Sequence, residues 1–196
     1  MFIRKNLAAT KWATGFIASL LVLFSLASVS QAEDRIPGPR YDDKGQLIRA
    51  DGWREWVFIG APLTPNSLND GKAPFPEFHN VYIEPAAYAH YVKTGRFPNG
   101  TMIAKELLSV GDTEAVSGNG FFQGKFQGLE FTVKDTERFP NEPGGWSYYS
   151  FGHQLPYETV AKAFPTADCA ACHEAAAEYD MVFTQYYPIL KAAGPK

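Results

Sequence analysis

Both cysteines of the chain fall within one five-residue string, Cys169-Ala170-Ala171-Cys172-His173, and no other feature constrains the chain as strongly. C-x-x-C followed directly by His is the sequence to which a c-type haem is attached. Two thiols one helical turn apart can each add to a vinyl group on the same porphyrin edge, and the adjacent imidazole of His173 then reaches the iron from one face. A redox dithiol, a structural disulfide and half of a zinc site use the same spacing. A redox pair belongs in a thioredoxin-like βαβ context, and zinc needs two further Cys or His ligands at short spacing; the sequence displays neither.

The start of the chain agrees with attachment after export. Arg4, Lys5 and Lys11 precede an apolar stretch over 15–27 that is short for a membrane span, and Ser30-Gln31-Ala32 places small residues where a signal peptidase reads them. Residues 1–32 are therefore expected to be a signal peptide cleaved after Ala32, with the mature protein in the periplasm and free of the membrane. An uncleaved anchor is the competing reading. The net charge of −3 falls further once these three basic residues leave, so nothing attracts a polyphosphate backbone and no nucleic-acid partner is expected.

With His173 as the proximal ligand, the other face of the iron decides between electron transfer and chemistry. An electron-transfer cytochrome uses a second strong ligand, usually Met or His. Beyond the signal segment the only candidates are Met102, Met181, His79, His90 and His153. Met181 reads as part of the same helix as His173, Met102 as strand core, and His90 as a surface or structural residue. His79 stays open. An iron without a second protein ligand is the simpler reading, and it implies ligand binding or catalysis.

Aromatic residues make up 15% of the chain, with 17 Gly and 14 Pro, which favours strands joined by tight turns. Residues 33–50 read as a loose N-terminal arm and 51–196 as a single haem-binding domain. Trp53, Trp56 and Val57 have helical spacing behind the N-cap candidate Asp51, and 62–76 is a Pro/Asn/Gly-rich loop long enough to be a site wall. Strands are expected at 80–84, 101–110, 120–126, 128–134 and 146–151, with a short helix around 88–92. The C-terminal third reads as helical: a haem-motif helix capped by Thr166, then a last helix packed through Tyr186, Tyr187 and Leu190. The fold class is α+β, an antiparallel β-sheet with short helices packed on it and the haem-motif helix near the C-terminus.

Ten ordered segments give the chain a close resemblance to the cytochrome P-460 family of exported mono-haem c proteins. They are 53–57 (WREWV), 65–75 (PNSLNDGKAPF), 81–85 (VYIEP), 93–101 (KTGRFPNGT), 105–112 (KELLSVGD), 128–130 (GLE), 133–135 (VKD), 138–139 (RF), 165–173 (PTADCAACH) and 181–184 (MVFT). The resemblance implies a sheet-dominated homodimer with a five-coordinate haem c, bound through Cys169, Cys172 and His173. It also implies an extra bond from a lysine, matched by Lys105, to a meso carbon of the ring. The implied activity is hydroxylamine oxidation through an iron nitrosyl to nitrous oxide and/or nitric oxide, with electrons leaving to a small soluble c-type cytochrome.

Three positions carry that reading. Period-two alternation puts Lys105 on the face of Ile103 and Leu107, with Glu106 on the other; a lysine on such a face ordinarily snorkels to solvent, whereas the resemblance makes it the cross-linking residue. No other lysine is expected on a core face nearby. Glu130 shares its face with Gly128 and Thr132 and is either a solvated residue or, by the family pattern, a distal proton acceptor. Phe75 matches a distal aromatic of the family; ordinary core packing is its alternative. The main competing function is that of a beta-type cytochrome c-prime, which binds nitric oxide or carbon monoxide without turnover.

Overall fold

The run Met102–Val110 sets the architecture, because its alternate side chains enter two different hydrophobic clusters. Ile103 packs with Val81, Ile83, Trp146 and Tyr148, while Met102 and Ala104 pack with Leu129, Phe131, Val133 and Tyr149. A strand buried on both faces belongs in the middle of a sheet covered on both sides. In the computed structural model, which describes residues 36–194, this run is the central strand β4 of five.

In chain order the elements are β1 (Leu47–Ile48), β2 (Val57–Gly60), β3 (Phe78–Ile83), α1 (Pro85–Thr94), β4 (Met102–Val110), β5 (Gln123–Lys134), β6 (Trp146–Ser150), β7 (Val160–Ala161), α2 (Thr166–Ala176) and α3 (Pro188–Ala193). Strands β2 to β6 form an antiparallel meander in sequence order. The first face is covered by α1, α2 and α3 through Ala87, Tyr91, Ala170 and Leu190. The second is covered by Leu47, Trp53, Tyr157 and Ala161, with β1 and β7 paired into a small ribbon. The fold class is α+β as the sequence indicated, with the C-x-x-C-H helix near the C-terminus.

Several local expectations are corrected. The arm over 33–50 is not loose where it is described: Leu47 is fully buried, and the Ile36 amide donates to the Asn99 carbonyl at 3.1 Å. The expected helix at Trp53 is a single 3-10 turn, Trp53–Glu55, entered from Gly52 at φ 72° with no side-chain cap from Asp51, and Val57 already belongs to β2. The strands expected at 120–126 and 128–134 are one, β5. Gly128 does not break it; a Cβ there would lie 2.9 Å from His153 Nδ1 and 3.1 Å from Leu107 Cδ1, so the glycine admits neighbours that lean over the strand. Thr166 is the first residue of α2 rather than its cap, and its hydroxyl donates to Glu142. The helix ends at Ala176, so Met181 is not on it. The signal peptide and its cleavage site lie outside the described residues.

Candidate haem site

α2 presents the motif to the first sheet face. Ala170 packs into the core there, Cys169 and His173 are half-buried, and Cys172 is exposed. The His173 ring sits between Tyr148 of β6, at 4.7 Å between centroids, and Phe183, at 4.6 Å. Its Nδ1 lies 2.6 Å from the Met181 carbonyl oxygen. A carbonyl only accepts, so Nδ1 carries the proton and Nε2 keeps the free lone pair. That is the tautomer of a metal-binding histidine whose second nitrogen is anchored by the protein. Burial lowers the His173 pKa, which favours the neutral ring a metal requires. Burial raises the Cys169 thiol, and the charge of Glu130 adds to the effect. Free thiols one helical turn apart beside a neutral, oriented imidazole fit a covalently held haem.

The other side chains of the site rise from the sheet on the same face. Lys105 of β4 and Glu130 of β5 are register partners, and Lys105 Nζ is 2.6 Å from Glu130 Oε2. Their side chains are 27% and 22% exposed, so Glu130 is neither a freely solvated residue nor a buried one. Two strands are enough to place this pair, since directly opposed residues in an antiparallel ladder project together. The charges of both act on His79, Cys169 and His173, which puts the pair in the electrostatic range of the motif. Glu106 points to the opposite face as the alternation indicated. It is buried there in a bidentate pair with Arg54.

The loop 62–77 brings Phe75 over this pair. It is folded on its own polar groups: Asn69 Nδ2 donates to the Pro65 carbonyl, the Ala73 amide to Asn66 Oδ1, and Thr64 Oγ1 to the Phe75 carbonyl. The amide of His79 in β3 ties its far end to the Pro62 carbonyl. Lys105 Nζ lies 4.7 Å from the Phe75 ring centroid, and Phe75 meets His79 edge-on at 6.0 Å. Phe75 is 48% exposed, so ordinary core packing does not explain it. His79 hydrogen-bonds to the backbone of Phe75, and its Nε2 is buried with no hydrogen-bond partner among the described residues. Burial and then the Lys105 charge lower its pKa to about 4.

The remaining ligand candidates separate cleanly. Met102 packs into the core of the opposite face, and His153 is exposed beside the Gln127 carbonyl. Met181 contributes its backbone carbonyl, not its sulfur, and does so on the His173 side. Sequence reasoning missed Tyr148, Phe183 and this carbonyl contact. It also missed a second lysine on the site face: Lys134 of β5 is half-buried, with Nζ 2.6 Å from Asp180 Oδ2.

A C-x-x-C-H helix laid on one face of an antiparallel sheet, with an ion pair rising from the strands beside it, defines a haem-binding protein built on a sheet rather than on a helical bundle. The chain belongs to the cytochrome P460 family, whose profile matches residues 50–184. No curated protein matches the chain.

Proposed function

We propose that this protein is a periplasmic c-type haem enzyme that oxidises hydroxylamine to nitrous oxide and/or nitric oxide and passes the electrons to a small soluble c-type cytochrome. Membership of the family supports a haem protein, and the single observation that carries the enzymatic reading is the Lys105–Glu130 pair beside the motif. Cys169 and Cys172 would take the thioether bonds, His173 would bind iron through Nε2, and Lys105 would hold the additional bond to a meso carbon. The haem, when bound, supplies the electron sink for the substrate nitrogen.

The protein's own residues manage protons. Forming nitrous oxide from two hydroxylamines releases four protons with four electrons, and these protons need an acceptor close to the substrate. Glu130 is a carboxylate already held on the right face. In the chain before cross-linking, the Lys105 ammonium is its counter-ion. A lysine nitrogen joined to an aromatic ring no longer holds an ammonium charge, so the bond leaves Glu130 without that counter-ion and makes it available to a substrate proton. Phe75 overhangs the same position and restricts what reaches it, while His79 stays neutral at pH 7 and does not compete with Glu130 as a charged group.

The family resemblance also supports a homodimer, and the leading segment supports export with cleavage after Ala32. The absorption spectrum of the reduced protein tests the enzymatic reading first. A ring modified at a meso carbon loses the ordinary c-type bands, whereas a cytochrome c-prime-like ligand binder keeps them. Turnover with an artificial electron acceptor and hydroxylamine is the second measurement, and its absence in a protein with the altered spectrum would overturn the proposal.

A further inference from the structure

The contact that orients His173 comes from a turn that would not hold its shape unaided. Tyr179 and Val182 bridge each other, and the two residues between them, Asp180 and Met181, have φ values of 45° and 62°. Tight turns with both central residues in the left-handed region ordinarily use Asn, Asp or Gly. Asp tolerates the region; a long side chain such as that of Met is strained there. Such a conformation persists only where its surroundings impose it.

Asp180 supplies that constraint. Its Oδ1 accepts from the indole Nε1 of Trp146 at 3.1 Å, and its Oδ2 accepts from Lys134 Nζ at 2.6 Å. Trp146 is fully buried in β6, and Lys134 is its register partner on β5. One carboxylate thereby pins the turn to two neighbouring strands of the rigid sheet. Space is reserved for it as well. A Cβ on Gly144, which sits at φ 61°, would lie 3.0 Å from Trp146 Cδ1 and 3.3 Å from both Asp180 Oδ1 and Met181 Cγ. The next carbonyl along the turn is the one that accepts from His173 Nδ1.

We propose that Asp180 is a positioning residue that sets how strongly His173 donates to the haem iron, by holding the Met181 carbonyl at hydrogen-bond distance from Nδ1. A strong acceptor on Nδ1–H makes the imidazole a better electron donor, which stabilises the ferric state and strengthens the iron–histidine bond. The inference rests on His173 as the iron ligand and not on the identity of the substrate.

The test is the reduction potential of the purified haem-loaded protein and the iron–histidine stretch of its ferrous form, for the parent, Asp180→Ala, Asp180→Asn and Asp180→Gly. Loss of the carboxylate in the Ala and Gly variants moves the potential positive and the stretch to lower frequency. Asn keeps an acceptor for Trp146 and gives a smaller shift in the same direction. Gly removes the side chain and adopts φ 45° more readily than Ala, so it stays informative if the Ala variant does not accumulate, and Lys134→Gln provides a further probe with the shift of Asn. A fall in thermal stability with both the potential and the stretch unchanged would make Asp180 merely structural and overturn the inference. A parent protein with no iron–histidine stretch at all would instead overturn His173 as the ligand.

Discussion

Lys105 and Glu130 stand opposite each other across β4 and β5, ammonium to carboxylate at 2.6 Å, on the sheet face that also receives the C-x-x-C-H helix. Neither is buried deeply enough for this to be a core ion pair, and neither is exposed enough for it to be an ordinary surface one. On the proposed reading, Glu130 is a base held in reserve by a counter-ion that the cross-link would remove. Glu130→Gln keeps the shape and a hydrogen-bond acceptor but cannot take a proton at neutral pH. Turnover with hydroxylamine is expected to fall by about 10²–10⁴, the usual contribution of a positioned general base. Hydroxylamine binding and haem content should be retained. A Gln variant that turns over within roughly threefold of the parent, far short of that range, would remove Glu130 from the proton path.

Lys105→Arg separates charge from covalent chemistry. A guanidinium preserves the pairing with Glu130 but is not deprotonated in proteins and cannot supply the ring nitrogen bond. The variant is expected to show ordinary c-type bands and little turnover, with stability close to that of the parent. Peptide mass spectrometry gives the complementary measurement. In the parent, Lys105 should be missing from its simple tryptic peptide and found attached to the haem peptide of Cys169 and Cys172; an unmodified Lys105 peptide in full yield would end the cross-link proposal.

How much of this was legible in the sequence depends on the distance over which each feature is encoded. The motif is contiguous, so Cys169, Cys172 and His173 could be named at once. Lys105 and Glu106 were assigned to opposite faces by simple alternation, and the structure places them so. The pairing of Lys105 with Glu130 is not legible in the sequence, because alternation assigns a face without assigning a register; bulges between Leu107 and Val110 shift that register along β4. The sequence splits β5 into 120–126 and 128–134 because a missing side chain at Gly128 does not reveal in one dimension the neighbours it admits. The spacing of Met181 from His173 suggests a continued helix, which ends instead at Ala176. Its actual place follows from Asp180, whose partners Lys134 and Trp146 lie more than thirty residues away.

The opposite face of the sheet offers a control. Glu106 is 1% exposed and held by Arg54, whose guanidinium also lies 5.0 Å from the Trp53 ring and 4.7 Å from that of Phe126. Removing the cation leaves a buried carboxylate unpaired, which typically costs about 3–5 kcal/mol; the partial exposure of Arg54 places the expected loss at or below the lower end of that range. Arg54→Ala should therefore lower the urea midpoint clearly. Because its partner faces away from the motif, the haem spectrum and turnover of the folded fraction should stay at parental values. Arg54→Ala combined with Glu106→Gln should recover much of the stability.

The last prediction concerns pH and His79. Burial, then the Lys105 charge, pulls its pKa from 6.5 to about 4, against opposing contributions from Glu130 and from the hydrogen bond to Phe75. Above pH 6.5 the ring is neutral in the folded and unfolded chain alike, and it contributes nothing to the pH dependence. Between 6.5 and about 4 the unfolded chain binds a proton that the folded chain refuses, so stability falls as pH falls, with a slope approaching roughly 1.4 kcal/mol per pH unit. Below that window both states are protonated and the contribution levels off. Urea unfolding from pH 7 to 4 should show this slope in the parent and lose it in His79→Gln, which keeps a hydrogen-bond donor for the Phe75 backbone. His173, also lowered by burial, is common to both proteins and cancels in the comparison. Parallel profiles would mean that His79 titrates normally. Joining Lys105 to the ring removes the second cause of the depression, so the cross-linked protein should show a narrower window than Lys105→Arg, closing first at its acid end.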